Sequence, residues 1–400
     1  MMLWMMACSV PPSLQDAAFP TLDSGFTVAS CEGVLPERIL QDTSVGPGCL
    51  RIGGSVEVGD PLADPSEVGP TLTIAAGTVL LAEAGNASRV VVHRGARMVA
   101  LGTATEPIVF TSSARPGTRQ AGDWGGLVLH GAAPTNAGAI VEIPGLGLHG
   151  GSLENHDSGR LSYVRIEFAG AALPNGTAMA GLGLYGVGAA TELEDVQIHR
   201  SAGDGLDIRG GTVGLRRVVV TGSGEDALDW TDGWRGHAQF LILQQWPDGG
   251  DNGIEADNNA IDNERLPRSA PTLSQFTVIA APSAADGDIG VLFRQGTGGW
   301  LQNGLVASFD GGCITVANLA TQQAAERGEL VVSEVLLDCV DLVNVPDKTV
   351  SVQEAWANVV GVDLSEVVPG LQKPETPQFC TSINGALPLS DPFFEPSRVV

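Results

Sequence analysis

Residues 195–211 read DVQIHRSAGDGLDIRGG, and residues 217–233, beginning 22 positions further on, read RVVVTGSGEDALDWTDG. Val196/Val218, Ser201/Ser223, Asp204/Asp226, Leu206/Leu228, Asp207/Asp229 and Gly211/Gly233 coincide. A period in the low twenties, built from β-branched residues and glycines with almost no helix signal, predicts stacked coils of strand and turn. In such a stack, residues one coil apart become vertical neighbours at about 4.8 Å. Strand alternation turns Leu206 and Leu228 inward and Asp207 and Asp229 outward.

The same grammar extends in both directions. Thr71-Leu-Thr-Ile-Ala-Ala-Gly-Thr-Val-Leu-Leu, Arg89-Val-Val-Val-His-Arg-Gly-Ala-Arg-Met-Val-Ala-Leu-Gly-Thr and Pro107-Ile-Val-Phe-Thr-Ser are short apolar runs bounded by glycine or polar turns. Gly77 and Gly95 precede strands and suit corners with φ > 0. Pro107 opens its run, where a missing N–H is tolerated. Residues 131–160 lack strand pattern and read as a long loop projecting from the stack. Coils resume at Leu161 and continue through Phe276-Thr-Val-Ile, Gly290-Val-Leu-Phe, Gly304-Leu-Val and Cys313-Ile-Thr-Val to Leu330-Val-Val-Ser-Glu-Val-Leu-Leu. The Ala- and Gln-rich stretch from Ala317 to Arg327 predicts a short inserted helix.

Gly102-Thr-Ala-Thr-Glu-Pro-Ile-Val-Phe-Thr-Ser-Ser followed by Gly122-Asp-Trp-Gly-Gly-Leu-Val-Leu resembles bacterial extracellular right-handed parallel β-helix proteins of the pectin-lyase-like fold. Many of these are lipoproteins of unknown function. The resemblance continues through Leu161-Ser-Tyr-Val-Arg-Ile-Glu-Phe-Ala-Gly and Gly181-Leu-Gly-Leu-Tyr-Gly-Val-Gly to Gly253-Ile-Glu-Ala-Asp-Asn and Pro267-Arg-Ser-Ala-Pro-Thr, covering roughly residues 72–280. It implies an all-β solenoid in the cell envelope and transfers no settled reaction.

The expected organisation is therefore fourfold. Residues 1–8, MMLWMMAC, resemble the end of a lipoprotein signal with Cys8 as the lipidated residue, although the run is short and no Lys or Arg precedes it. Residues 9–70 read as a linker and irregular N-terminal segment that a Cys31–Cys49 disulfide would staple. Residues 71–345 form the right-handed parallel β-helix. Residues 346–400, with a helix expected over 352–360, read as a cap over the open strand edges of the last coil.

Composition agrees with this plan. Of 400 residues, 43% are hydrophobic but only 5% aromatic, and 53 are glycine, which favours tight turns around small aliphatic side chains over a core of large rings. A formal charge of −25 argues against nucleic acid or an anionic membrane as partner. Membrane attachment would come only through Cys8. The charge suits cations and a secreted or outer-membrane lipid-anchored location, with carbohydrate or another surface protein as partner. None of the six cysteines sits in a CxxC or Cys/His cluster, so zinc is not expected. Cys313 pairs with Cys339 or Cys380, or stays as a buried thiol.

The chemistry the repeat offers is acidic. Stacking brings Asp204 near Asp226 and Asp207 near Asp229, with Asp232, Glu255 and Asp257 close by. Carboxylates that close raise each other's pKa, and a hard cation such as Ca²⁺ relieves the repulsion. Asp at a coil corner also bonds turn N–H groups, and that structural reading stays open. An enzyme would take the form of a glycoside hydrolase using Asp204, Asp226 and Asp229. A polysaccharide lyase would instead use Arg209, Arg216 or Arg235 as the base beside Ca²⁺. The Gly-His-Gly and Arg-Ile-Lys coils of polygalacturonase-like hydrolases are absent, Gly236-His237-Ala238 being the nearest approach. No nucleophile elbow, zincin motif or phosphate loop is present. The six histidines, scattered from His93 to His237, read as surface or turn residues. Trp124, Trp230, Trp234, Trp246 and Trp300 read as core plugs or as a sugar-stacking surface.

Overall fold

The computed structural model of the chain describes residues 31, 33–247, 249–280, 288–345, 356 and 359–361. Cys8 and Cys380 lie outside them. Over the described residues the chain winds as a right-handed parallel β-helix, the hand that parallel crossovers adopt. Upstream, each coil has three strands, as in Thr71–Ile74, Thr78–Ala82 and Arg89–Val92. From Gly159–Glu167 onward the first two fuse into one strand of eight or nine residues. Gly159–Glu167 pairs its first half with Arg97–Leu101 and its second half with Ile108–Ser112.

The fused strands still turn a corner, and they do so at one residue each. Tyr163, Asp195, Arg217, Phe240, Gln275, Asn303 and Glu334 all have φ between 51° and 60°. Each falls at the position where the ladder skips a pair. The left-handed conformation costs a non-glycine residue about 1–2 kcal/mol, so cooperative stacking of neighbouring coils has to hold it. Asp195 and Arg217 show one such hold: Arg217 Nε donates to Asp195 Oδ1 at 2.6 Å and its Nη2 to Oδ2 at 2.8 Å.

Inside, the columns are uniform. Leu206, Leu228, Ile254, Val291 and Ile314 occupy consecutive register positions, and all are fully buried. Burying each such side chain contributes about 1.5–3 kcal/mol. Trp124, Trp230 and Trp234 are also fully enclosed, so those three are core residues. Close approach of coils fixes some glycines: a Cβ on Gly159 (φ +120°) would lie 1.9 Å from the Met98 carbonyl oxygen.

Four expectations change. The stack begins upstream of Thr71: Gly33–Val34, Arg38–Ile39, Thr43–Val45, Gly48–Ile52 and Ser55–Val58 already pair into the sheets, so the described part of 9–70 is regular coil, stapled by Cys31–Cys49. Residues 131–160 do not project but fold back, with an antiparallel hairpin of Val141–Ile143 and Gly147–His149. Val359–Gly361 is a strand on Leu330–Asp338, where a helix was expected; the remainder of 346–400, Trp356 apart, lies outside the described residues. Four of the six histidines are buried. Meanwhile the inserted helix is Leu319–Glu326, capped by Asn318, and Cys313 pairs with Cys339. No helix among the described residues is long and apolar enough to cross a membrane.

Candidate ligand-binding face

The third side of the coil, strands Leu182–Tyr185, Leu206–Arg209, Leu228–Thr231, Ile254–Ala256 and Val291–Phe293, points two columns outward. One column runs Val128, Gly183, Asp207, Asp229, Glu255, Leu292 and Thr315. The column beside it runs His130, Tyr185, Arg209 and Thr231. Asp207 and Asp229 are thus vertical neighbours, as the 22-residue period requires, and Glu255 stands on the next rung.

Two guanidinium groups serve these carboxyls. Arg209 grips Asp207, with Nε 2.9 Å and Nη2 2.8 Å from Oδ2, while the Tyr185 hydroxyl donates to the same oxygen at 3.0 Å. Gly183 makes this possible, because a Cβ there would sit 2.7 Å from the Tyr185 ring. Arg294 bonds Asp257 at 2.9 Å and also contacts Glu255. Asp229 has neither, and its Oδ1 is buried without a hydrogen-bond partner. Burial and then the Asp207 charge push the Asp229 carboxyl well above the ordinary carboxylate range. Burial likewise raises Glu255 to about 8, with Asp226 adding to it and Arg294 opposing.

Asp204 and Asp226 sit at the corner leading into this face and do structural work there. Asp204 Oδ1 accepts the Asp226 N–H at 3.0 Å, and Asp226 Oδ1 accepts both the Asn252 N–H and its side-chain amide at 2.8 Å. Burial nonetheless holds Asp226 up at about 7, despite the Asn252 bonds, and raises Asp204, with Asp207 and Asp226 reinforcing it. Asp232 lies at the opposite corner, raised by burial to about 6. Asp257, beside it, is raised by burial against the pull of Arg294. Among the described residues no three His, Cys, Asp or Glu side chains are arranged to hold a metal ion as they stand.

Of the three arginines expected as bases, Arg209 alone lies on this face. Arg216 pairs with Glu194 and Arg235 with Glu154 on other sides of the coil. His237 is exposed on the first side, in register with Gly214 and Thr272. Arg294 and Tyr185 were not anticipated. Tyr185 follows from counting alternate positions back from Arg209, but unequal loops hide the register of Arg294.

Upstream, the face is roofed. Ile143 and Leu146 of the hairpin pack with Leu173 and Met179 over Val91 and Val128. Arg89 donates to the Gly145 carbonyl at 3.1 Å and Arg94 to that of Gly150 at 3.2 Å. Beneath lie His93, His130 and His149, with ring centroids 6.0 Å apart for the first pair and 5.9 Å for the second. His93 bonds Glu57 at 2.6 Å. Burial drives His130 far below its usual range and His149 to about 3, with Arg209 and Arg94 next in effect on His149. His130 and His149 are therefore neutral, and the roof ends where the carboxyls begin. A separate cavity of about 520 Å³, lined in part by Glu67, Arg97, Glu154 and His156, lies at another corner, away from the carboxyls.

No curated protein and no solved structure matches the chain. The family model for the pectate-lyase like beta helix domain matches residues 66–366. That span takes in the roof, both outward columns and every carboxyl of the candidate face. The chain belongs to the family of pectate-lyase-like β-helix domains.

Proposed function

We propose that this chain is a non-catalytic binding module of the cell envelope, and that the carboxyl column of its third side takes a hard divalent cation. The observation that carries the reading is Asp229: a carboxyl stacked between Asp207 and Glu255, without a guanidinium and with an unpartnered, buried Oδ1. Oxygen donors in excess of their counter-charges are the chemistry Ca²⁺ selects. The column is not a preformed cage, so its affinity belongs in the weak range, on the order of 10⁻⁴–10⁻³ M. An extracytoplasmic address is supported by two disulfides, which persist in oxidising compartments.

Calorimetric titration of the full chain with CaCl₂ at pH 7.5 tests this. Binding should release protons from the raised carboxyls, so the heat should change with buffer ionisation enthalpy. Asp229→Asn should weaken it severely. No heat, together with no change of melting temperature on adding chelator, would reject the reading.

One observation favours a second reading. Asp207, ion-paired with Arg209, stands one rung from Asp229, whose carboxyl is raised by burial and then by the Asp207 charge. A guanidinium-paired carboxylate beside a raised carboxyl suits a base and an acid. A polysaccharide-cleaving activity would use that pair. Incubation with acidic and neutral polysaccharides, assayed for unsaturated products and reducing ends, decides it. Release that Asp229→Asn abolishes supports the enzyme, and uniform inactivity removes it.

A further inference from the structure

A different side of the coil carries a second surface. On the first halves of strands His237–Gln245, Thr272–Ala280 and Gly299–Ala307, the outward columns read His237, Thr272, Trp300 and Gln239, Ser274, Gln302. Gln275 and Asn303 project from the corner beside them. Trp300 is 53% exposed, whereas Trp124, Trp230 and Trp234 are fully enclosed. The neighbouring columns beneath it are core: Leu273 and Leu301 are buried. The indole therefore lies on the sheet surface and is not a plug.

The chemistry of this window is unlike the rest of the protein. Across a chain of net charge −25, these three rungs present amides, hydroxyls, an indole and the His237 imidazole, with no carboxylate or guanidinium among their outward residues. Charge returns immediately on either side, at Arg216 and Glu194 upstream and at Glu334 downstream. The side chains of Gln302 and Asn303 make no hydrogen bond with any described residue, so their donors and acceptors are free for a ligand. The window lies on the outer face of three adjacent parallel strands. Its polar groups repeat at the strand spacing, which matches a polymer of repeating units better than a single compact ligand.

We infer that this window binds a chain of an uncharged polysaccharide, with Trp300 as the platform on which a sugar ring stacks and Gln302, Asn303 and Gln275 as hydrogen-bonding partners. Neutrality selects the occupant: the surrounding negative charge repels anionic polymers, and nothing here attracts a cation or a nucleic acid. An amphipathic ring that offers one apolar face and hydroxyls at its rim is what an exposed indole set among amides complements. The inference does not rest on the carboxyl column, which lies on another side.

Affinity electrophoresis of the full chain through gels containing hydroxyethyl cellulose, laminarin, xylan or galactomannan tests it, with polygalacturonate and alginate gels run in parallel. At least one neutral polymer should retard the protein and the anionic ones should not. Trp300→Ala should weaken retardation roughly tenfold, Trp300→Phe should restore part of it, and Gln302→Ala should weaken it several-fold. Asp229→Asn should leave it unchanged, which separates this surface from the carboxyl column. Because Trp300 is exposed, the melting curve of Trp300→Ala should match that of the unaltered protein, and a matching curve makes lost retardation a binding effect. The inference is overturned by free migration through every neutral gel, by retention in polygalacturonate in preference to them, or by a Trp300→Ala variant retarded like the parent. A self-association that Trp300→Ala abolishes would also overturn it, by assigning the window to a second copy of the chain.

Discussion

Asp207 and Asp229 stand opposite each other on adjacent parallel strands, yet Arg209 and Tyr185 both turn to Asp207 and leave Asp229 without a partner for Oδ1. Identical residues at equivalent positions thus have different partners, and the difference is set by what stands two residues further along each strand: arginine at 209, threonine at 231.

This makes the fold alkali-sensitive. A carboxyl raised in the folded state contributes stability that is full below its unfolded pKa near 4 and is lost as pH rises through the folded value. Asp226 at about 7 and Glu255 at about 8, with Asp204 and Asp229 also raised, extend that loss from near pH 4 through neutrality to about pH 8. Melting temperature, followed from pH 6 to 9.5, should fall steadily. Asp229→Asn should flatten the fall and be more stable than the parent at pH 8.5 by about 1 kcal/mol, the scale of one pKa unit.

The acid limb has a different origin. His149 at about 3 and His156 at about 4 are depressed in the folded state. Their stability is present above the unfolded value near 6.5 and is lost as pH falls from there towards 4 and 3. His149 lies in the roof, so the roof should loosen first. Hydrogen exchange of residues 141–149 should rise between pH 6.5 and 4 before the core strands respond, and His149→Gln should remove that dependence.

Glu334 is held at φ 56° while exposed and without an ion pair or side-chain hydrogen bond to any described residue. Glu334→Asn and Glu334→Gly should each stabilise the protein by about 0.5–1 kcal/mol, since both tolerate the left-handed region. Arg217→Gly should do the opposite, because it also discards the bidentate contact with Asp195. Denaturant melts of the three variants compare these directly.

In the core, Leu228→Ala removes a side chain from the middle of an inward column and should cost about 2–5 kcal/mol. Reduction of Cys313–Cys339, which spans 26 residues, should cost about 3 kcal/mol by releasing the unfolded chain. Thermal melts with and without reductant measure the second.

The echo between residues 195–211 and 217–233 was enough to read the solenoid and the stacking of Asp207 on Asp229, because one exact period carries register from one coil to the next. Beyond it, legibility fails for physical reasons. Arg217, Phe240 and Gln275 occupy left-handed corners that glycine or asparagine would have advertised; stacking overrides their local preference. The first strands, two to five residues long, carry too few residues to show a period. His93, His130 and His149 meet because coils of unequal length return to one side, and the antiparallel hairpin that brings His149 has no repeat to announce it.

The rungs of the carboxyl column are separated by chain segments of very different length. From Asp207 to Asp229 is 22 residues, from Asp229 to Glu255 is 26, and from Glu255 to Leu292 is 37, yet all four remain in one vertical line. The scaffold therefore accommodates connecting segments that differ by 15 residues while its lateral surfaces keep their alignment. Such a molecule is modular in the evolutionary sense: a new wall can be grafted beside a binding surface, or an old one deleted, with no rearrangement of the coils above and below.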